Sequence, residues 1–109
     1  MRVTRKHLSV VNGRARFAQV TVADDAPGRA SVECPVLKLN DREMQPRSVE
    51  DERFIEAAVI AARETEKRPE WHGSPLVVTT VESSYVDMHP DAAREAAISA
   101  ATALIEAEQ

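Results

Sequence analysis

Two runs of alternating side chains open the chain. Residues 3–11 and 14–23 read as strands, and Asn12-Gly13 stands between them. An Asn-Gly pair between two such runs is the strongest short hairpin signal, because a type I′ turn needs positive φ at both central positions. In the second run Ala18, Val20 and Val22 share one face, and Phe17, Gln19 and Thr21 share the other. Residues 24–29, with Pro27-Gly28, form a turn. Residues 30–39 read as a third strand with Val32, Cys34 and Val36 pointing inward, and Pro35 places it at an edge or a bulge. A polar connection, 40–47, follows.

The period then changes to that of a helix. Ser48-Val49-Glu50-Asp51 has the form of a capping box with acids in the first turn. The helix is expected to run to about Glu66, with Phe54, Ala57, Ala58, Ala61 and Thr65 as its apolar stripe, widened by Ile55, Val59 and Ala62. Lys67 and Arg68 suit its C-terminal end, and Pro69 stops it. Residues 70–75 link to a fourth, β-branched strand at 76–81, and a polar loop at 82–89 leads to a second helix. Pro90 fits the first turn of that helix, and Ala93, Ala96, Ala97, Ala100, Ala101 and Leu104 form its buried face. The order β-β-β-α-β-α predicts an α+β fold with a single four-stranded sheet and two helices on one face.

Length and composition narrow the class. The 109 residues suit one domain, 1–109, with few aromatics and many alanines, hence a thin core in which helices approach the sheet through small side chains. No apolar run reaches the length of a membrane span, and the single cysteine, Cys34, precludes an internal disulfide. A cytoplasmic protein with no membrane role is the expectation. The net charge of −4 is unevenly spread: residues 1–29 hold six basic and two acidic side chains, so this segment is +4 and the remainder −8. A basic segment on an acidic body suits an anionic partner such as RNA, and equally a solvated hairpin.

The densest run of reactive side chains is Glu82-Ser83-Ser84-Tyr85-Val86-Asp87-Met88-His89. Ser83, Ser84, Asp87 and His89 contain the residue types of a nucleophilic triad. A triad needs a base that reaches the nucleophile and a third group that orients the base, which one short loop seldom achieves. Loop polarity and capping of the second helix, with His89 beside the cap, explain them better, and no catalytic residue is assigned. His7, His72 and His89 match no metal-ligand spacing, so no metal is assigned. Cys34 reads as a small core residue, and Trp71 as a plug at one end of the core. Arg14, Arg16 and Phe17 beside the hairpin turn could pair with phosphate and stack on a base, with Tyr85 joining them if the two loops meet.

Those loops also carry a resemblance. Residues 54–59 (Phe54-Ile55-Glu56-Ala57-Ala58-Val59), Gly73-Ser74-Pro75, the strand at 76–81 and Glu82-Ser83-Ser84-Tyr85 resemble domain IV of elongation factor G. That family has a loop beginning Asp-Gly-Ser-Tyr-His, matched here at Ser84 and Tyr85. Residues 12–20 are similar to its other tip segment, Gly-Gly-Arg-Gly-Gln-Tyr/Phe-Gly-His-Val, at Gly13, Arg14, Phe17 and Val20. The likeness spans about residues 6–107. It implies a βαβ crossover of the rare left hand, where most such units are right-handed. It also implies a non-catalytic module that binds ribosome or structured RNA through tip residues Gly13, Arg14, Arg16, Phe17, Ser84, Tyr85 and Val86. Val86 stands where the family has histidine, Asn12 replaces a glycine, and no phosphate-cradling Gly-x-x-x-x-Gly-Lys-Ser/Thr segment exists, so neither a nucleotide nor any other cofactor is expected. With Val86 and the acidic body, a protein-interaction or self-association module of the same fold is the alternative.

Overall fold

The computed structural model describes residues 1–25, 35–45 and 48–108. Strand β1 (Arg2–Val11) pairs antiparallel with β2 (Arg14–Ala23) without interruption, from Arg2 opposite Ala23 to Val11 opposite Arg14. Asn12 and Gly13 between them have φ of +52° and +76°, as a type I′ turn requires. The remaining elements are β3 (Val36–Leu39), β4 (Arg42–Glu43), helix α1 (Val49–Glu66), β5 (Val77–Ser83) and helix α2 (Pro90–Ala107). They form a mixed α+β architecture with sheet order β1-β2-β5-β3-β4. Strand β5 is antiparallel to β2 and parallel to β3, so the chain leaves β3, passes through β4 and α1, and returns beside β3.

Among the described residues the sheet has five strands where four were expected. The addition is β4, and its cause is a second tight turn: Asn40 and Asp41 have φ of +53° and +65°, which Asn and Asp tolerate better than other side-chain-bearing residues. Leu39 then faces Arg42, and the Met44 N–H donates to the Leu37 carbonyl at 2.9 Å. The third strand also differs in extent and phase. Of the residues expected in it, 30–34, including Val32 and Cys34, lie outside the described residues. Val36 was expected inward, yet Leu37 and Leu39 are the fully buried pair and Val36 and Lys38 lie on the opposite face. The opposite phase would bury the Lys38 ammonium without a core partner.

Both helices start as their sequences dictate. Ser48 Oγ accepts the Asp51 N–H at 3.1 Å, and Asp51 Oδ2 accepts the Ser48 N–H at 2.9 Å, closing the capping box. Helix α1 buries Phe54, Ile55, Ala58, Ala61, Ala62 and Thr65, while Ala57 and Val59 are only half-buried at its margin. His89 is itself the N-cap of α2, rather than its neighbour: its Nδ1 accepts the Asp91 N–H at 3.1 Å, and Pro90 follows in the first turn.

The helices pack on each other and on one face of the sheet, α2 over β1 and β2, α1 over β5. The core is thin, as expected. Ala92, Ala93, Ala96, Ala97, Ala100 and Ala101 of α2 are buried, with only Leu104 and Ile105 as large side chains. Val20, Val22, Leu37, Leu39, Val78 and Val81 meet them from the sheet. Strand β5 supplies both Val78 and Val81 because a bulge at Thr79 shifts its phase: Val81 faces Val20, Thr80 faces Thr21, and Val78 faces Val22. Trp71 packs against the core's edge, where its Nε1–H donates to the Ser74 carbonyl at 3.1 Å.

Two substitutions test this account. Ser48→Ala removes one half of the capping box and is expected to cost about 1 kcal/mol, lowering the melting temperature by about 4–8 °C. Ala97→Leu inserts three heavy atoms into a contact built for a methyl group and is expected to cost more, about 1–3 kcal/mol. Denaturant melts of both variants check the order; a harmless Ala97→Leu would show that the helix does not lie close on its neighbours.

Candidate functional site

Strand directions bring three loops to one end of the molecule. Strands β3 and β5 are parallel and end there, and the antiparallel β2 begins there. The Asn12-Gly13 turn, the Asn40-Asp41 turn and the loop 84–89 therefore form a common tip. All positive-φ residues among those described, Asn12, Gly13, Asn40 and Asp41, belong to it. The last β2–β5 pair is Gln19 with Glu82, so the distal end of the β1–β2 hairpin overhangs the sheet.

Loop 84–89 is bonded to the hairpins on both sides of it. Toward β2, the Ser83 hydroxyl donates to the Phe17 carbonyl at 2.6 Å, and the Phe17 N–H donates to the Asp87 carbonyl at 3.0 Å. Toward β3, the Asn40 N–H donates to the Ser83 carbonyl at 3.1 Å, and the Tyr85 N–H donates to Asn40 Oδ1 at 3.2 Å. Within the loop, Ser84 Oγ donates to Asp87 Oδ2 at 3.0 Å, and the Met88 N–H donates to the Ser84 carbonyl at 3.1 Å. Ser83 is buried, so its hydroxyl bond is one that water would not replace without cost.

A cleft of about 330 Å³ lies between the overhanging hairpin and this loop, lined by Asn12, Arg14, Arg16, Val86, Asp87 and His89 among others. Arg16 is half-buried in it, its guanidinium 3.3 Å from the Asp91 carboxylate in the first turn of α2. Arg14 is exposed and forms no ion pair among the described residues. Alternation along β2 turns the N–H and C=O of Ala15 toward the same cleft, beyond the last residue that β5 can pair.

The structure thus divides the expected tip residues. Gly13 is in the hairpin turn, while Arg14, Arg16 and Val86 share the cleft. Phe17 lies on the opposite face of β2, across from Leu8 on β1. Ser84 is turned inward to Asp87. Tyr85 is 56 % exposed and reaches the β3–β4 hairpin, where its hydroxyl donates to Met44 Sδ at 3.2 Å. Val86 is 88 % exposed, the most open of the large apolar side chains among the described residues. Asn40, Met44 and Asp91 also build the tip. Asn40 and Asp41 lay in a stretch read only as a polar connection, and the reach of Asp91 to Arg16 depends on contacts 75 residues apart.

The polar side chains of the loop have local roles. Ser83 holds Phe17, Ser84 holds Asp87, and the Nδ1 of His89 is occupied as a cap, with no hydrogen bond from His89 to either serine among the described residues. Among the described residues no cluster of three or more His, Cys, Asp or Glu is arranged to hold a metal ion. His72 is at the other end of the molecule, in a second cleft of about 400 Å³ with Asp24, Glu70 and Trp71. There the Glu70 carboxyl is lowered from its ordinary value, chiefly by a hydrogen bond that its own backbone N–H donates to the carboxylate and further by Arg68. No described helix is long and apolar enough to cross a membrane. No protein-family model matches the chain, and comparison with curated proteins gives no match.

Ser83→Ala is expected to cost about 1 kcal/mol and to speed hydrogen exchange at the Phe17 amide by about tenfold, by loosening loop 84–89 from β2. Amides of the β1–β2 ladder near Val20 and Val22 should keep their protection. Uniform loss of protection would show that the bond supports the whole sheet and not the tip alone.

Proposed function

We propose that the tip is the working surface of a non-catalytic, cytoplasmic module that binds structured RNA, in the manner of domain IV of elongation factor G. The observation that carries this reading is the meeting of the two loops that bear the resemblance. The hairpin that ends in Gly13 and Arg14 is bonded at Phe17 to the loop with Ser84, Tyr85 and Val86, and Arg14 and Val86 line one cleft. Arg14 offers a guanidinium for phosphate and Ala15 a backbone N–H and C=O, neither with a partner among the described residues, and Tyr85 offers an exposed ring for a base. These bonds matter because a positioning device must hold its contacts without first ordering itself. The resemblance further implies that the βαβ unit made by the parallel β3 and β5, with α1 between them in the chain, crosses over with the left hand.

A specific observation favours a second reading, a protein-binding or self-associating tip. Asp91 already pairs with Arg16, and the tip exposes an apolar side chain, Val86, at 88 %. Salt separates the two. Binding to small ribosomal subunits is expected at low ionic strength and to weaken steeply as salt rises. The triple variant Arg14→Ala, Arg16→Ala, Tyr85→Ala should lose affinity and reduce the slope of log K against log salt by about 1.4, at about 0.7 per arginine. Absence of binding at low salt, or affinity indifferent to salt, would overturn the RNA reading in favour of a protein partner.

A further inference from the structure

We propose that the outer edge of β1 accepts an acidic, extended peptide segment as an additional antiparallel strand. Among the described residues strand β1 ends the sheet, and its ten residues run without a bulge or proline. The hydrogen-bond phase of the hairpin is fixed at both ends. Val11 and Arg14 flank the two-residue turn as a bonded pair, and at the far end the Asp24 N–H donates to the Met1 carbonyl at 3.2 Å. Odd-numbered residues of β1 therefore bond to β2. Arg2, Thr4, Lys6, Leu8 and Val10 turn their N–H and C=O groups outward, where no described strand meets them.

The side chains along that edge specify the occupant. Leu8 and Val10 are 68 % and 69 % exposed on the sheet face that the helices leave open, with Phe17 beside Leu8. Lys6 stands on the same face, and Arg5 and His7 on the other. None of these three makes an ion pair among the described residues, and β1 contains no acid. A second copy of β1 would bring the same cations to the edge with no carboxylate to meet them, which opposes self-pairing. A segment with apolar residues opposite Leu8 and Val10 and carboxylates opposite Lys6 and Arg5 satisfies the backbone, the apolar pair and the charge together. This is strand addition, with the main chain supplying affinity and alternate side chains supplying choice. It uses the hairpin's outer edge and open face, separate from the tip cleft, and does not depend on the RNA reading.

The probe is a fluorescein-labelled peptide, Thr-Val-Thr-Val-Thr-Glu-Glu-Thr, titrated into the whole protein and followed by anisotropy and amide hydrogen exchange. Expected are saturable binding and new protection at the Lys6, Leu8 and Val10 amides. Affinity should fall about tenfold or more when the peptide's edge-facing amides are N-methylated, and similarly when its glutamates become lysines. Leu8→Pro removes one outward N–H at an edge position that tolerates proline, leaving the β1–β2 ladder intact, and should also weaken binding. An unchanged melting temperature confirms that this variant is folded, and Lys6→Glu gives an independent reversal of charge. No binding would overturn the proposal. So would affinity indifferent to N-methylation and to Leu8→Pro, which would mean ion attraction alone. A β1-edge dimer that Leu8→Pro dissolves, or an RNA oligonucleotide protecting the same three amides in the peptide's place, would likewise refute it.

Discussion

The pairing of β2 with β5 is the constraint on which the rest of the structure rests. It joins segments about 60 residues apart in sequence, as the hydrogen bond from Gln19 Nε2 to Glu82 Oε2 at 3.2 Å shows on the open face. Without it the N-terminal hairpin would be an isolated two-stranded ribbon, a form with little stability of its own in water. With it, Val20 and Val22 are set beside Val81 and Val78 to make the floor of the core. The same register stops at Glu82, leaving the hairpin end free and the loop after Ser83 to bond to it. Core and tip are thus consequences of one alignment, and the bulge at Thr79 lets β5 serve both by correcting its phase partway along.

Alanine sets the thickness of the molecule. A helix presenting Ala93, Ala97, Ala100 and Ala101 can bring its backbone near the sheet and its neighbour, with little side-chain entropy lost on burial. Such a layer contributes less apolar area per residue than a leucine-rich one, so the larger buried groups, Phe54, Leu37, Leu39, Leu76 and Leu104, carry a disproportionate share. The capping box at Ser48 and the imidazole cap at His89 add fixed polar ends to helices whose core faces are small.

Much of this was legible in the residues. Asn12-Gly13 named the first turn, Ser48 and Asp51 the start of α1, and Pro90 the start of α2. Each is a local signal whose physics stays within one turn of chain. The errors fell where local signal is thin. Four residues of β3 give too few alternations to fix a phase, and the sequence around Pro35 favoured the wrong one. Asn40-Asp41 makes the same kind of turn as Asn12-Gly13 without a glycine to advertise it, so β4 went unseen. For the tip, the loops were identified but their internal partition was not. Arg14 and Arg16 lie on one face of β2 and Phe17 on the other because the period of two separates them. Tyr85 is held toward Met44 by Asn40, a contact that only the β3–β5 alignment creates.

The long separation between β2 and β5 also has a consequence for how the chain reaches this structure. The hairpin can close early, within its first two dozen residues, but its apolar floor has no cover until β5 and α2, the last two elements, are available. Non-local pairing of this kind slows the search for the native state. During synthesis the growing chain would hold Ala18, Val20 and Val22 uncovered on a ribbon with an open edge, the kind of intermediate that aggregates. The cations of β1 that form no ion pair among the described residues, Arg5 and Lys6, then act: their mutual repulsion keeps one nascent hairpin from annealing to another.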